Sequence, residues 1–136
     1  MKPFKYLLVL ALVLSIFTSC KKDDDSMETM LDNAALIVGT WHYTMGTTNG
    51  TLDPPEDCQE FFAVTFREDL SMTIFDREGS NCETSIQTQG TYSINENTLT
   101  VNTGETLTGE ILELTANILK IRFVEGSVTE VETYEK

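Results

Sequence analysis

Three cysteines, one histidine and a surplus of carboxylates hold what reactive chemistry this 136-residue sequence offers. His42 is the sole imidazole. General acid–base or nucleophilic catalysis would need it beside a carboxylate, serine or cysteine in a cleft. It follows Trp41 in a run that alternates, so it points to the opposite face from the tryptophan and reads as an ordinary strand histidine. One histidine cannot build a His-rich zinc site, and Cys58 and Cys82 lack the CxxC spacing of a redox or metal pair. The carboxylates gather in two places: Asp53, Glu56 and Asp57, then Asp76, Glu78 and Glu83. If both groups meet at one rim, their oxygens resemble a loose Ca2+ site. A solvated acidic rim is the plainer expectation, and no metal site is assigned. No glycine-rich phosphate loop, GxSxG elbow or dinucleotide fingerprint occurs. The sequence is read as a non-enzyme without a cofactor.

Cys20 stands apart from the other two thiols. Lys2 and Lys5 precede an apolar run from Tyr6 to Phe17, and small polar residues then lead to the cysteine. A charged start, a short apolar stretch and small residues before a cut are the marks of a secretory signal. About a dozen apolar residues fall short of the ~20 that span a bilayer. Phe17-Thr18-Ser19-Cys20 resembles a bacterial lipobox, with Phe17 in the place of the usual aliphatic residue. The resemblance implies a lipid on the Cys20 sulfur, cleavage before it and acylation, as by palmitate, of the new amine. More than one acyl chain makes a stable anchor, at ~0.8 kcal/mol per buried CH2. Lys22-Asp23-Asp24 resembles the signal that sends lipoproteins to the outer face of the outer membrane in one Gram-negative phylum. Surface display is therefore expected, with the periplasmic face as the alternative. Asp25-Ser26-Met27 resembles that phylum's short O-glycosylation motif. The expected organisation is a signal peptide at 1–19, a lipid-anchored acidic tether at 20–35 and one folded domain at 36–136.

Twenty-two acidic residues against nine basic ones give a formal net charge of −13, and cleavage would remove Lys2 and Lys5 as well. Such a surface repels nucleic-acid phosphates and anionic headgroups. Cys58 and Cys82 remain as an even pair in an oxidising compartment. Strands at Glu60–Phe66 and Met72–Arg77, joined by a turn near Arg67–Ser71, would bring these cysteines together at the open end of a hairpin. A disulfide there is worth ~3 kcal/mol in the chain-entropy model.

Ser26 to Ala35 is the one helical candidate, with Met27, Met30, Leu31, Ala34 and Ala35 at helical spacing behind a Ser26 cap. Beyond it the pattern is β. Eight strands are expected: Leu36–Gly46, Glu60–Phe66, Met72–Arg77, Thr84–Ile94, Thr98–Asn102, Thr106–Leu114, Ile118–Val124 and Val128–Tyr134. Their links are short enough for antiparallel neighbours. The exception is Thr47–Asp57, a long loop with Asn49-Gly50 and Pro54-Pro55, of the sort that rims binding sites. Phe62, Val64 and Phe66 share a face, as do Met72 and Ile74, and Ile86, Tyr92 and Ile94. Leu99 with Val101, Leu112 with Leu114, and Leu119 with Ile121 and Phe123 continue the layer. One apolar face per strand favours an all-β, eight-stranded antiparallel up-and-down barrel, with a two-sheet sandwich as the alternative. Phe62, Val64, Phe66, Met72, Ile74, Tyr92, Leu119, Ile121 and Phe123 would face its lumen, and Phe61 and Phe75 could join them as a plug.

Gly39-Thr40-Trp41 resembles the Gly-x-Trp motif of lipocalins. Phe66–Ile74 resembles the "TFxxDGTxT" hairpin of bacterial lipocalin-like lipoproteins, with Leu70 in the glycine position. Gly90–Ile94 followed by Asn97–Val101 resembles their "GTYxIxxxxLTL" segment. The resemblance spans Leu36 to Tyr134 and implies a lipocalin-like barrel with Gly39 and Trp41 as structural positions and Trp41 packed at the closed end. In that family a basic residue from the last strand lies on the tryptophan; here Arg122, one strand earlier, is the nearest candidate. Two functions are carried forward. One is a lipid-anchored, non-catalytic module that binds a small apolar ligand in the lumen. The other is a surface protein that contacts another protein or a glycan and holds no ligand. An enclosed apolar void above ~300 Å3 would favour the first. A packed lumen with an exposed apolar patch would favour the second.

Overall fold

β-branched and aromatic residues at every second position draw most of this chain into extended backbone, because one face of each strand can then be buried. The computed structural model describes residues 33–54 and 56–136. The expected signal segment, Cys20, the expected tether and most of the 26–35 helical candidate lie outside the described residues. Among the described residues, 33–37 are helical (α1), and nine strands follow. They are β1 (Gly39–Thr48), β2 (Thr51–Leu52), β3 (Ala63–Phe66), β4 (Ser71–Glu78), β5 (Thr84–Asn95), β6 (Thr98–Asn102), β7 (Thr106–Leu114), β8 (Ile118–Glu125) and β9 (Val128–Glu135).

Each strand from β3 to β9 pairs antiparallel with the next, and β1 pairs with both β3 and β9. The sheet closes into an eight-stranded up-and-down barrel, with β2 a short ribbon on β1. Closure leaves the eight strands without an open edge, which disposes of the stacked-sheet alternative.

Three expected boundaries shift, each for a local reason. Leu36 and Ile37 belong to α1, not to the first strand. Asn33 and Ile37 are one helical turn apart and both buried, so the helical spacing outruns the β pattern until Gly39, whose φ of 134° suits glycine alone. Residues Gln59–Phe61 form a 3-10 turn instead of opening a strand, because Cys58 is left-handed at φ 67°. The first half of the Thr47–Asp57 loop is a hairpin: β1 runs on to Thr48, and Asn49-Gly50, both at positive φ, turns the chain back as β2.

The closed end of the barrel carries α1 and the turns 67–70, 95–97 and 115–117. Trp41 is fully buried there, and its indole N–H donates to the Ile37 carbonyl at 2.6 Å. The cation over its ring is Lys136, not Arg122: Nζ lies 4.6 Å from the ring centroid and donates to the Leu36 carbonyl at 3.0 Å. Arg122 points outward instead and pairs with Glu110 across the β7–β8 ladder. Two carbonyls at the end of α1 are thus satisfied by tertiary contacts. A Cβ on Gly39 would come within 2.5 Å of Lys136 Cε, so the glycine leaves the lysine its path.

The inner layer joins Ile37, Trp41, Val64, Phe66, Met72, Tyr92, Leu99, Ile111, Leu119, Ile121 and Tyr134. Leu107, Gly109 and Ile111 alternate inward, and the bulge between Ile111 and Glu113 then brings Leu114 to the core, so Leu112 is exposed and does not share the inner face with Leu114 as expected. Phe61 and Phe75 do not plug the barrel; they flank the Arg77 guanidinium, at 4.8 and 5.9 Å.

Candidate functional site

The open end lies opposite Trp41, where the β1–β3 connection meets the β4–β5 hairpin. The Cys58–Cys82 disulfide, with Cα atoms 5.5 Å apart, ties the 3-10 turn to that hairpin. The turn delivers Phe62, whose carbonyl accepts from Tyr43 N–H at 3.1 Å. A bulge between Tyr43 and Met45 keeps Tyr43 inward, and Gly46 offers no Cβ to meet its hydroxyl. The Tyr43 ring stands edge-on to Phe62, at 6.3 Å between centroids, and to Tyr134, at 5.6 Å. These three rings form a layer across the barrel.

Below that layer is an apolar cavity of about 170 Å3. Phe62, Val64, Phe66, Met72, Ile74, Leu119, Ile121 and Phe123 all line it, together with Trp41, Leu99, Val101, Leu107 and Tyr134. Tyr92 does not: it packs on Phe66 at 4.8 Å and sends its hydroxyl to the Arg67 carbonyl at the closed end. Gly109 on β7 makes room, since a Cβ there would meet Phe123 at 2.6 Å. Above the layer is an open mouth of about 800 Å3. Its walls carry Asp53, Glu56, Asp57, Asp76, Glu78, Glu130 and Glu132. The two sequence clusters do meet there, apart from Glu83, which turns back to accept from the Asn81 amide. No group of three metal-ligating side chains occurs among the described residues. His42 is exposed on the outer wall, away from both spaces.

Phe62 and Glu132 line both spaces. Glu132 is half-buried and accepts from Tyr134 Oη at 2.6 Å. Burial raises its pKa above the ordinary glutamate range; Glu130 and Asp53 add to that, and the Tyr134 hydrogen bond works against it. Burial and the Glu132 charge together hold the Tyr134 phenol well above its usual value. Tyr43 is raised by burial first and then by Glu132, Asp53 and Glu56. Sequence reasoning did not single out Glu132, Tyr43 or Tyr134. Alternation along β9 does put Glu130, Glu132 and Tyr134 on one face, but two glutamates on a face ordinarily signal solvent.

The lipocalin-like domain model matches residues 37–121, well over half of the chain. The chain belongs to the lipocalin-like domain family. Members of this family are in general binding proteins rather than enzymes. Among solved structures, a lipocalin-like protein from Bacteroides uniformis superposes with a TM-score of 0.60 at 13% identity, covering 74% of this chain and 98% of that one. An uncharacterized protein from Bacteroides eggerthii gives 0.52 at 15% identity, over 73% and 98%. At these identities the likeness is one of fold. No curated protein matches the sequence. In lipocalin-like terms the family match ends within β8, so the Glu130–Glu132–Tyr134 column on β9 lies beyond it.

Proposed function

We propose that this lipocalin-like protein is a non-catalytic binding module, anchored by lipid on Cys20 at the outer membrane and displayed on the cell surface, that holds a small apolar ligand or ligand moiety in its barrel. The observation that carries the reading is the cavity behind the Tyr43–Phe62–Tyr134 layer, walled by apolar side chains except for Glu132 and adjoined by an open mouth. Its volume falls below the ~300 Å3 of an ordinary ligand pocket but matches the ~150 Å3 apolar cavity that takes benzene. The barrel therefore suits one ring or a short chain. Trp41, the sole tryptophan, lines the cavity and reports on its occupancy.

The test is native mass spectrometry of protein purified without detergent, followed by titration with short alcohols and aromatics read by Trp41 emission. A co-purifying small molecule, or a saturable emission change, supports the module. If no such compound co-purifies and none shifts the emission, the binding reading fails and an external contact surface takes its place.

A further inference from the structure

Volume and charge together say more about the ligand than that it is apolar. We propose that it is a small organic cation: an ammonium head seated against Glu132 among the Tyr43 and Tyr134 rings, with a compact apolar body in the cavity below. This rests on the binding-module reading and names the ligand class for the same site.

The cavity below the rings holds about 170 Å3, so any ligand larger than a ring or short chain must leave part of itself in the mouth. The walls change character along that path. On β4 the inward positions run Met72, Ile74, Asp76; on β9 they run Tyr134, Glu132, Glu130, from closed end to open end. A molecule spanning both spaces meets hydrocarbon at one end and carboxylate at the other. The one basic residue on the mouth wall is Arg77. Its guanidinium is already engaged: it lies over Phe61 and donates to the Cys82 carbonyl at 3.4 Å, and its buried Nε has no partner among the described residues. The mouth thus carries seven carboxylates against this one cation.

Glu132 differs from an ordinary rim acid. It sits half-buried at the junction, against an apolar cavity, with the Tyr134 hydroxyl as its hydrogen-bond donor among the described residues. Holding a carboxylate there opposes folding. An ammonium offsets that cost twice, by charge and by contact with ring faces, whose π electrons attract cations. A carboxylate ligand would meet repulsion at the same point. A metal ion needs three or more convergent ligands, which the described residues do not offer.

The deciding experiment compares hexylammonium, hexanol and hexanoate on the full chain, by calorimetry and Trp41 emission at low ionic strength. Hexylammonium should bind about tenfold or more tighter than hexanol, with hexanoate weakest. Glu132→Gln keeps an acceptor for Tyr134 and should bring hexylammonium down to the affinity of hexanol, leaving hexanol within about twofold. Equal affinities for alcohol and ammonium overturn the cationic head and leave the binding module standing. Ammonium preference that survives Glu132→Gln overturns the seat at Glu132. Failure of all three probes to bind overturns the module, and this proposal with it.

Discussion

Glu132 is the residue where stability and binding pull apart. Its raised pKa means that the folded state holds the proton more tightly than the unfolded chain does. Its contribution to stability is therefore fully present below the unfolded glutamate value near 4.5 and is lost as pH rises through the folded value. Asp69 and Glu83 act in the opposite sense. Hydrogen bonds from Ser71 and from the Glu83 and Asn81 amides lower their pKa values, so their support is lost on acidification. A comparison of wild type with Glu132→Gln cancels those terms. The variant should melt higher by about 4–8 °C at pH 7, if relief of the buried charge is worth about 1 kcal/mol. The gap should close as pH falls towards 4.5, as scanning calorimetry at several pH values will show. A variant that melts lower at every pH would mean that the charged form is held favourably, contrary to the burial described. A residue whose removal stabilises the fold is one whose retention calls for a functional explanation.

Among the elements, the strands were legible because each has one apolar face and ends in a short turn. The disulfide followed, since the β3–β4 register carries Cys58 and Cys82 to the same end. The bulges at Tyr43/Met45 and Ile111/Glu113 were not legible, because an extra residue leaves no mark in the alternation and only reverses which neighbour faces in. Neither was the acidic column of β9, whose inward carboxylates contradict the pattern by which inward faces are recognised. The junction of α1 with β1 shows a third limit: Gly39 is readable as a motif, but its reason is Lys136, 97 positions away in sequence. That reason is testable. Gly39→Ala forces a Cβ against Lys136 Cε and puts alanine at a φ of 134°. It should cost about 1–3 kcal/mol of unfolding free energy in urea. Lys136→Ala alone removes the cation over Trp41 and the donor to Leu36, a loss of about 1 kcal/mol. In the double variant the steric part of the glycine effect should vanish, so the two losses sum to less than their separate values. Strict additivity would show that the lysine stem is not what Gly39 accommodates.

The polarity of the whole molecule connects the barrel to its proposed anchor. Asn33 Nδ2 donates to the Glu96 carbonyl at 3.1 Å and to Asn97 Oδ1 at 3.3 Å, which fixes the start of α1 to the β5–β6 turn at the closed end. A tether from Cys20 therefore enters the barrel at the end opposite the mouth. Twelve residues separate Cys20 from Asn33, a fully extended reach of about 40 Å. Such a reach does not by itself set an orientation, and neither does charge, since Glu68, Asp69, Glu96 and Glu135 lie at the closed end beside Lys136. In the proposed anchored form, attachment at the closed end is what would favour a mouth turned away from the bilayer. Two measurements follow. Mass spectrometry of the membrane fraction should find Cys20 acylated at a new amino terminus, and Cys20→Ala should release the protein from membranes. In vesicles with a lipid-borne quencher, a fluorophore on Ala116→Cys at the closed end should be quenched more than one on Ser80→Cys at the mouth. Equal quenching would mean that the tether lets the barrel tumble freely, and stronger quenching at Ser80 would invert the arrangement. In that proposed arrangement the mouth would draw its ligand from the aqueous side, where a water-soluble organic cation is found and a membrane-dissolved hydrocarbon is not.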